Sequence, residues 1–510
     1  MIRKVEQYLE GIRDGRVVYC LGEKVKDVTT HPVLRRVAMI GAMDWVLTND
    51  PDHRDLFVTK NEEGEEVHFL WTQAKSKEDL LRRREVYLEG IRHSGIGLHA
   101  MGVDGLAALR VLAERMDRKL GTNYIERVES YRRYIQKTDI GVTGAQTDVK
   151  GNRSLHPSAQ EQHKDFYLRV VDKRDDGIIV RGAKYHISMT AVADEAIVIP
   201  CRTHLEADKD YAVCFATPLN AKGITIICTE PEMRGGVSEE NTWDSPLSSI
   251  VGVGDTEAMI VFDDVFVPWE RVFMCGEWQF SRDIAYLFGT FHRLFACCRV
   301  LPMLETLTGV AALMAEYNGL ENYSHIQTKL STLVQITEAC SVLGKSACLY
   351  PQQEPGTEFV VPNLMYTNIA KYLYASNWHE LSKIAQDICG GIAADPITFK
   401  DWNNPEERPY LEKYLGGKNG IKTEDRLRAI RLLHDITSGR MVTEQIQAEG
   451  SLAAQQRMLF ATADWNRYKA IAKKTAGISG WKRHPEIKKL RDYSDLLKSI
   501  MPPEDDSYNI

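Results

Sequence analysis

What this chain has little of narrows it first. Its 510 residues include ten cysteines, at Cys20, Cys201, Cys214, Cys228, Cys275, Cys297, Cys298, Cys340, Cys348 and Cys389, and no two form a C-x-x-C pair. Such scatter argues against a zinc module or a disulfide framework and leaves reduced, mostly buried thiols, with the vicinal Cys297–Cys298 as the one departure. No apolar run approaches the length of a membrane span, and the opening MIRKVEQYLEGIRDG lacks the apolar core of a signal peptide, so a cytoplasmic location is expected. The net charge of −7 arises from interspersed acidic and basic residues without a basic block, which speaks against nucleic acid as a partner. Repeats and low-complexity tracts are missing as well. A chain of 510 residues without these features is long enough for two or three cores and reads as a multi-domain enzyme.

What is present changes character twice along the chain. Up to about residue 140 the apolar periodicity is helical, with helices expected over Val33–Leu47, Lys77–Ser94 and Gly105–Leu120 and a stop at Asn49, Asp50 and Pro51. From 141 to 275 short β-branched runs take over: Phe166–Val171, Gly177–Gly182, Ala193–Pro200, Asp210–Thr217, Gly223–Thr229 and Ala258–Val267. The first two flank the charged turn Asp172–Asp176 and read as adjacent antiparallel strands, and the whole set suits a small barrel or sandwich. From 276 to 480 long helices return, over Leu307–Tyr317, Ser324–Tyr350, Asn363–Gly390 and Glu424–Ile436, with bundle-like spacing. Residues 481–510 are charged, contain Pro502–Pro503 and read as a surface or intersubunit tail.

One loop stands apart. Lys150, Gly151, Asn152, Arg153 and Ser154 place two cations and several hydrogen-bond donors on a flexible backbone, chemistry able to hold an anionic or carbonyl-rich ring. On composition alone the simplest reading is a solvated connector. The string TDVKGNRS, the spacing from it to DFYLRVVDKRDDGIIVRGAK and then ADEAIVIP resemble the flavoprotein family that contains 4-hydroxyphenylacetate 3-hydroxylase and 4-hydroxybutyryl-CoA dehydratase. The likeness runs from HPVLRR near the start to the EGS segment near residue 450.

That resemblance implies an α+β, acyl-CoA dehydrogenase-like fold: an α-helical N-terminal domain (1–140), a central antiparallel β-barrel flavin-binding domain (141–275) and a C-terminal helical bundle (276–480). It implies FAD, held by Lys150, Gly151, Asn152 and Arg153 with Gln160 and Ser188 as further polar contacts. Asp387, Gly390 and Gly391 in QDICGGI would approach the flavin dinucleotide, often from a second subunit of a homotetramer or dimer. As bare sequence that Gly–Gly is a helix C-cap. Glu257 and Glu444 match positions of acidic residues that handle substrate protons, although each also reads as a surface glutamate and Glu449 competes with Glu444. Three nearby glycines, Gly235, Gly252 and Gly254, would let backbone approach a ligand beside Glu257. His292, in FHRLFACCRV, matches a histidine that binds an iron–sulfur cluster in the dehydratase, and His292 with Arg299 would orient or polarise the substrate. Lys184 and Arg181 read as facing either a phosphate or solvent, with solvent the simpler expectation.

The chain departs from both branches. Where the dehydratase has two cluster cysteines, this chain has about Gly97 and Met101; only Cys297 or Cys298 remains near His292, so no iron–sulfur cluster is expected, while His93 and His99 leave a different metal site open. Where the hydroxylase holds its phenol with an arginine and a histidine, this chain has about Val103 and Gly144. The favoured expectation is isomerisation, oxidation or dehydration of an acyl-CoA-type substrate. The alternatives are a two-component monooxygenase, fed by a separate flavin reductase and acting on a phenolic ring, and a non-catalytic flavin-binding homologue.

Overall fold

The computed structural model describes residues 2–94, 97–229, 239–247 and 256–478; the chain divides into two compact units, residues 1–459 and 460–510. In the first unit the helices Leu34–Asn49, Lys77–Ser94, Leu98–Leu120 and Tyr124–Thr138 precede most of the sheet. Their ends follow ordinary chemistry. Lys77–Ser94 carries Glu78 and Asp79 in its first turn and Arg92 and His93 in its last, matching the helix dipole, and Leu98–Leu120 stops on Gly121 in the left-handed region (φ 70°). Gly102 lies on this second helix where it meets the sheet, and a Cβ there would come within 2.5 Å of the Val142 carbonyl oxygen. Only a residue without a side chain lets helix and strand lie so close.

The strands are β1 (Val18–Cys20), β2 (Glu23–Val25), β3 (Val58–Lys60), β4 (Glu66–His68), β5 (Val142–Ala145), β6 (Arg169–Lys173), β7 (Gly177–Ser188), β8 (Glu195–Val198), β9 (Val213–Pro218), β10 (Ile224–Cys228), β11 (Glu257–Pro268) and β12 (Val272–Cys275). They make a six-stranded sheet in the order β2-β1-β10-β11-β7-β6, a four-stranded sheet in the order β12-β9-β8-β5, and the hairpin β3-β4, and a separate two-residue pair joins Gln352–Gln353 to Val360–Val361. Pairing is antiparallel apart from β1 with β10 and β5 with β8. The first 140 residues are therefore not purely helical, since β1 and β2 complete the larger sheet. Three-residue strands are too short to show a period of two in the sequence.

Lys184 on β7 corrects the expectation that it faces solvent. It is 2% exposed, and its ammonium reaches Asp148 Oδ1 at 2.5 Å and the carbonyl oxygens of Ile199 and Gln146 at 2.8 and 3.0 Å. The strand places it inward, where every donor of the side chain finds an acceptor, as burial of such a group requires. Arg181 does reach solvent, paired with Asp264.

Helices Ser281–Tyr317, Ser324–Leu349, Leu364–Cys389 and Thr423–Thr437 then pack around a second apolar core that includes Trp378, Leu307, Ile430 and Leu433. Asn363 caps the third by accepting from the backbone N–H groups of Met365 and Tyr366, and Gly390 (φ 86°) ends it. The helix over Trp278–Tyr317 is long and apolar enough to span a membrane, contrary to the expectation that no run approaches that length. Because 72% of its apolar window is buried inside the protein, it serves as a core helix. In the second unit, helix Trp465–Thr475 begins on Asp464, which accepts from the Arg467 N–H. The proposed tail at 481–510, like Gly235, Gly252 and Gly254, lies outside the described residues.

A buried charge cluster ties the N-terminal helices to the start of β5. His99 Nδ1 is 2.8 Å from Asp44 Oδ2, which also accepts the His99 backbone N–H at 2.6 Å, and His99 Nε2 is 3.4 Å from Asp139 Oδ1. Burial opposes the imidazolium, yet the bonds to Asp139 and Asp44 outweigh it and raise the His99 pKa to about 9. His68 stacks on this ring at 4.2 Å, and burial with the neighbouring charge lowers its pKa to about 3. The two signs differ. Stability from charged His99 is complete below the unfolded value near 6.5 and is lost as pH rises through about 9; stability from neutral His68 is present above about 6.5 and is lost as pH falls towards about 3. Melting curves should therefore show the thermal midpoint falling between about pH 6.5 and about pH 9, and this limb should flatten in His99→Gln. A limb that persists unchanged in the variant would contradict the assignment.

Candidate active site

The predicted residues gather in two places, one on the sheet and one in the bundle. On the sheet, Glu257 at the start of β11 lies directly across from Ser188 at the end of β7, and the Ser188 hydroxyl donates to Glu257 Oε1 at 2.6 Å. Cross-strand register sets this contact. The Thr143 hydroxyl on β5 donates to the Ser188 carbonyl at 2.8 Å, which joins the second sheet to the same point.

The loop ahead of β6 is held from beneath. Lys150 and Gly151 are both left-handed (φ 80° and 49°), and the buried Gln160 accepts from the Asn152 N–H and donates to the Asn152 carbonyl, both at 2.9 Å. A Cβ at Gly151 would stand 2.4 Å from Gln160 Oε1, so the glycine is required by the same bracket. The Gln160 amide is thus engaged with backbone, while Gly151, Asn152 and Arg153 remain exposed.

The sheet grouping connects to the bundle through ring contacts. A Cβ on Gly144 would lie 2.8 Å from the Met101 carbonyl oxygen and 3.3 Å from the Phe288 ring, so no side chain fits at that position on β5. Phe288 stacks on His292 at 5.0 Å, and Phe295 covers the other side at 5.6 Å. Asp104, fully buried on helix Leu98–Leu120, meets His292 Nδ1 at 3.0 Å and accepts from the Tyr87 hydroxyl at 2.9 Å.

In the bundle, Arg299 gathers two acidic residues from one segment. Its Nε is 2.6 Å from Glu449 Oε1 and its Nη1 is 3.1 Å from Glu444 Oε1, with Lys371 Nζ 3.9 Å from Glu449 Oε2. Burial disfavours the Glu449 carboxylate, but Arg299 and Lys371 bring its pKa down to about 2, and His292 adds a smaller pull. His292 is therefore on the edge of this cluster. Burial lowers Lys371 to about 8 in spite of Glu449. Glu449, read in the sequence as a competitor of Glu444, is the main partner of Arg299. Arg293, one residue after His292, is different: it is 7% exposed, and its Nε and Nη1 are buried without a hydrogen-bond partner among the described residues.

The remaining predicted residues lie at the end of helix Leu364–Cys389. Asp387 is exposed and paired with Lys329, and Gly390 and Gly391 are exposed with open space around them. Asp104, Arg293 and Lys371 were not picked out from the sequence. Lys371 carried a signal, as a lysine on an apolar helical face, and Arg293 stands beside a singled-out histidine; nothing in MGVDG marks Asp104.

Comparison with known proteins gives this geometry its context. The models for the N-terminal and C-terminal parts of 4-hydroxyphenylacetate 3-hydroxylase match residues 4–274 and 281–477. The chain belongs to the 4-hydroxyphenylacetate 3-hydroxylase family. It is 33% identical to the 4-hydroxybutyryl-CoA dehydratase/vinylacetyl-CoA-Delta-isomerase of Clostridium aminobutyricum, over 94% of this chain and 100% of that one. It is 31% identical to the oxygenase component of 4-hydroxyphenylacetate 3-monooxygenase from Thermus thermophilus, over 86% and 89% of the two chains. Among solved structures, the 4-hydroxybutyryl-CoA dehydratase from N. maritimus superposes with a TM-score of 0.85 at 30% identity, covering 94% of this chain and 96% of that one. The oxygenase component of 4-hydroxyphenylacetate 3-monooxygenase complexed with FAD superposes at 0.80 and 26% identity, covering 98% and 100%. These relatives carry enzyme names, and the chain is an enzyme of their class.

The Arg299–Glu449 pair yields a direct expectation. Glu449→Gln would leave Arg299 and Lys371 buried with Glu444 as the remaining carboxylate of the cluster, at a cost of about 3–5 kcal/mol. Urea unfolding should show the midpoint shifted down accordingly, and an unchanged midpoint would mean that the pair does not hold the segment.

Proposed function

We propose that this chain is an FAD-dependent enzyme that moves a proton along the acyl chain of an acyl-CoA-type substrate without an iron–sulfur cluster. The observation that carries the reading is Arg293, next in sequence to His292, a buried guanidinium whose Nε and Nη1 have no hydrogen-bond partner among the described residues. Removing a proton from a carbon conjugated to a thioester builds negative charge on the carbonyl oxygen, and a dry, unpaired cation is suited to hold it.

The exposed Lys150–Arg153 loop, fixed by Gln160 and turned by two left-handed residues, fits an isoalloxazine ring; Gly390 and Gly391, with room around them and Asp387 nearby, fit the dinucleotide of a second subunit in a homotetramer or dimer. FAD bound there would supply a polarising, redox-active surface for the acyl chain. Glu257, steadied by the Ser188 hydroxyl, and Glu444, held on Arg299, are the proton carriers: one takes the proton from the carbon next to the thioester, breaking the C–H bond, and the other delivers a proton to the far carbon of the original double bond as that bond shifts towards the thioester. The sum is redox-neutral. His292, set by Asp104, positions and polarises the substrate.

A dehydratase-type cluster does not fit the described residues around His292. Gly97 and Met101 offer no thiol, Cys297 packs its sulfur 3.8 Å from the Thr367 carbonyl, and burial pushes both the Cys297 and Cys298 thiols well up. The monooxygenase reading keeps the oxygenase relatives in its favour, but Val103 is buried and Gly144 has no room for a phenol-binding side chain.

Purified protein should take up FAD and convert vinylacetyl-CoA to its conjugated isomer, with solvent deuterium entering the product. Glu257→Gln and Glu444→Gln should each lower kcat by about 10²–10⁴-fold. Arg293→Met should lower kcat with little change in KM. Consumption of NADH with a reductase and a phenol, and no isomerisation, would overturn the proposal in favour of hydroxylation.

A further inference from the structure

Outside the site, two histidines and a glutamate converge on one point. His53 follows the first N-terminal helix of the bundle-like pair Leu34–Asn49 and Lys77–Ser94, and Glu89 and His93 lie one turn apart on the second. His53 Nε2 is 3.3 Å from Glu89 Oε1, and His93 Nε2 is 3.1 Å from the same oxygen. The ligand atoms of all three residues lie within 4.8 Å of one another, and the two rings meet edge to face at 5.2 Å. His53 Nδ1 is meanwhile 2.6 Å from Asp50 Oδ2.

That last contact decides the chemistry. A ring that gives its Nδ1 proton to Asp50 turns a lone pair, not a proton, from Nε2 towards the Glu89 carboxylate, and two lone pairs at 3.3 Å repel. The conflict is resolved by a second proton on His53 or by a cation between the three groups. The spacing suits a cation: metal–ligand bonds of about 2.0–2.1 Å in a tetrahedron put neighbouring ligand atoms roughly 3.3 Å apart. A histidine whose far nitrogen is tied to a carboxylate is also the usual arrangement behind a metal ligand. The other charges facing the point are Asp50 and Arg92, whose Nη1 is 3.8 Å from the second oxygen of Glu89 and leaves Oε1 clear.

We propose that His53, Glu89 and His93 bind one zinc-class divalent cation, with Asp50 orienting His53 and water completing the shell. Bound there, the ion staples the turn after helix Leu34–Asn49 to the last turn of helix Lys77–Ser94.

The test uses full-length protein treated with a chelator and dialysed. Zinc chloride titrated into it by calorimetry at neutral pH should bind with one equivalent lost on His53→Ala and on His93→Ala, while circular dichroism stays unchanged. Asp50→Asn should keep the stoichiometry and weaken binding about 10–100-fold. Cobalt(II) should give a visible spectrum without thiolate charge-transfer bands, which separates this site from the cysteines. Zinc uptake that survives both histidine substitutions, a thiolate spectrum, or no uptake at micromolar zinc would overturn the proposal.

Discussion

An imidazolium locked between two buried carboxylates organises the N-terminal half of this protein. Asp44 comes from one helix, His99 from the start of another, and Asp139 from the left-handed residue that ends a third, immediately before β5. Asp139 also accepts from Trp45 Nε1 and from the Arg3 backbone. A charge in a dry interior is tolerable only where it is paired, so the three helices are fixed in direction by one ring. Helix Leu98–Leu120 then delivers Asp104 to His292 and, through Gly102, lies against β5. Scaffold and candidate chemistry thus share an element.

The same economy appears in the bundle, where Arg299 takes both Glu444 and Glu449. A planar guanidinium can bind two carboxylates along different edges, which a lysine cannot do with equal geometry. The segment carrying those glutamates is short, Gly439–Gln447 followed by Glu449 in a left-handed conformation. Its placement rests on this arginine together with the packing of Met441, Val442 and Ile446. His292, at the margin of the cluster, links it through Phe288 to Gly144 and the sheet.

Much of the architecture was legible in the residues. The runs at 177–182 and 258–267 are strands of one sheet, and the long bundle helices begin and end near their capping residues. What escaped has physical causes. β1 and β2 are three residues each, and a strand that short leaves no alternation to read. Lys184 sits in an alternating strand, and its inward turn depends on Asp148 and two carbonyls that only tertiary structure assembles. Within the candidate site, Ser188 and Glu257 were both singled out, yet their contact is a matter of register between β7 and β11. Asp104 gave no signal, and Arg293 only its place after His292, because their importance lies in what they face, not in any spacing.

Arg293 has one more consequence. The described ionised groups of the bundle cluster, Arg299 and Lys371 against Glu444 and Glu449, cancel in sign, so the unmatched guanidinium sets the local excess at one positive charge. An excess of that sign repels an amine or quaternary ammonium, and a hydrocarbon placed against it would leave the cation stranded. Under the proposed function, this excess would select by polarity before shape is considered, favouring a substrate that arrives electron-rich or becomes so during turnover.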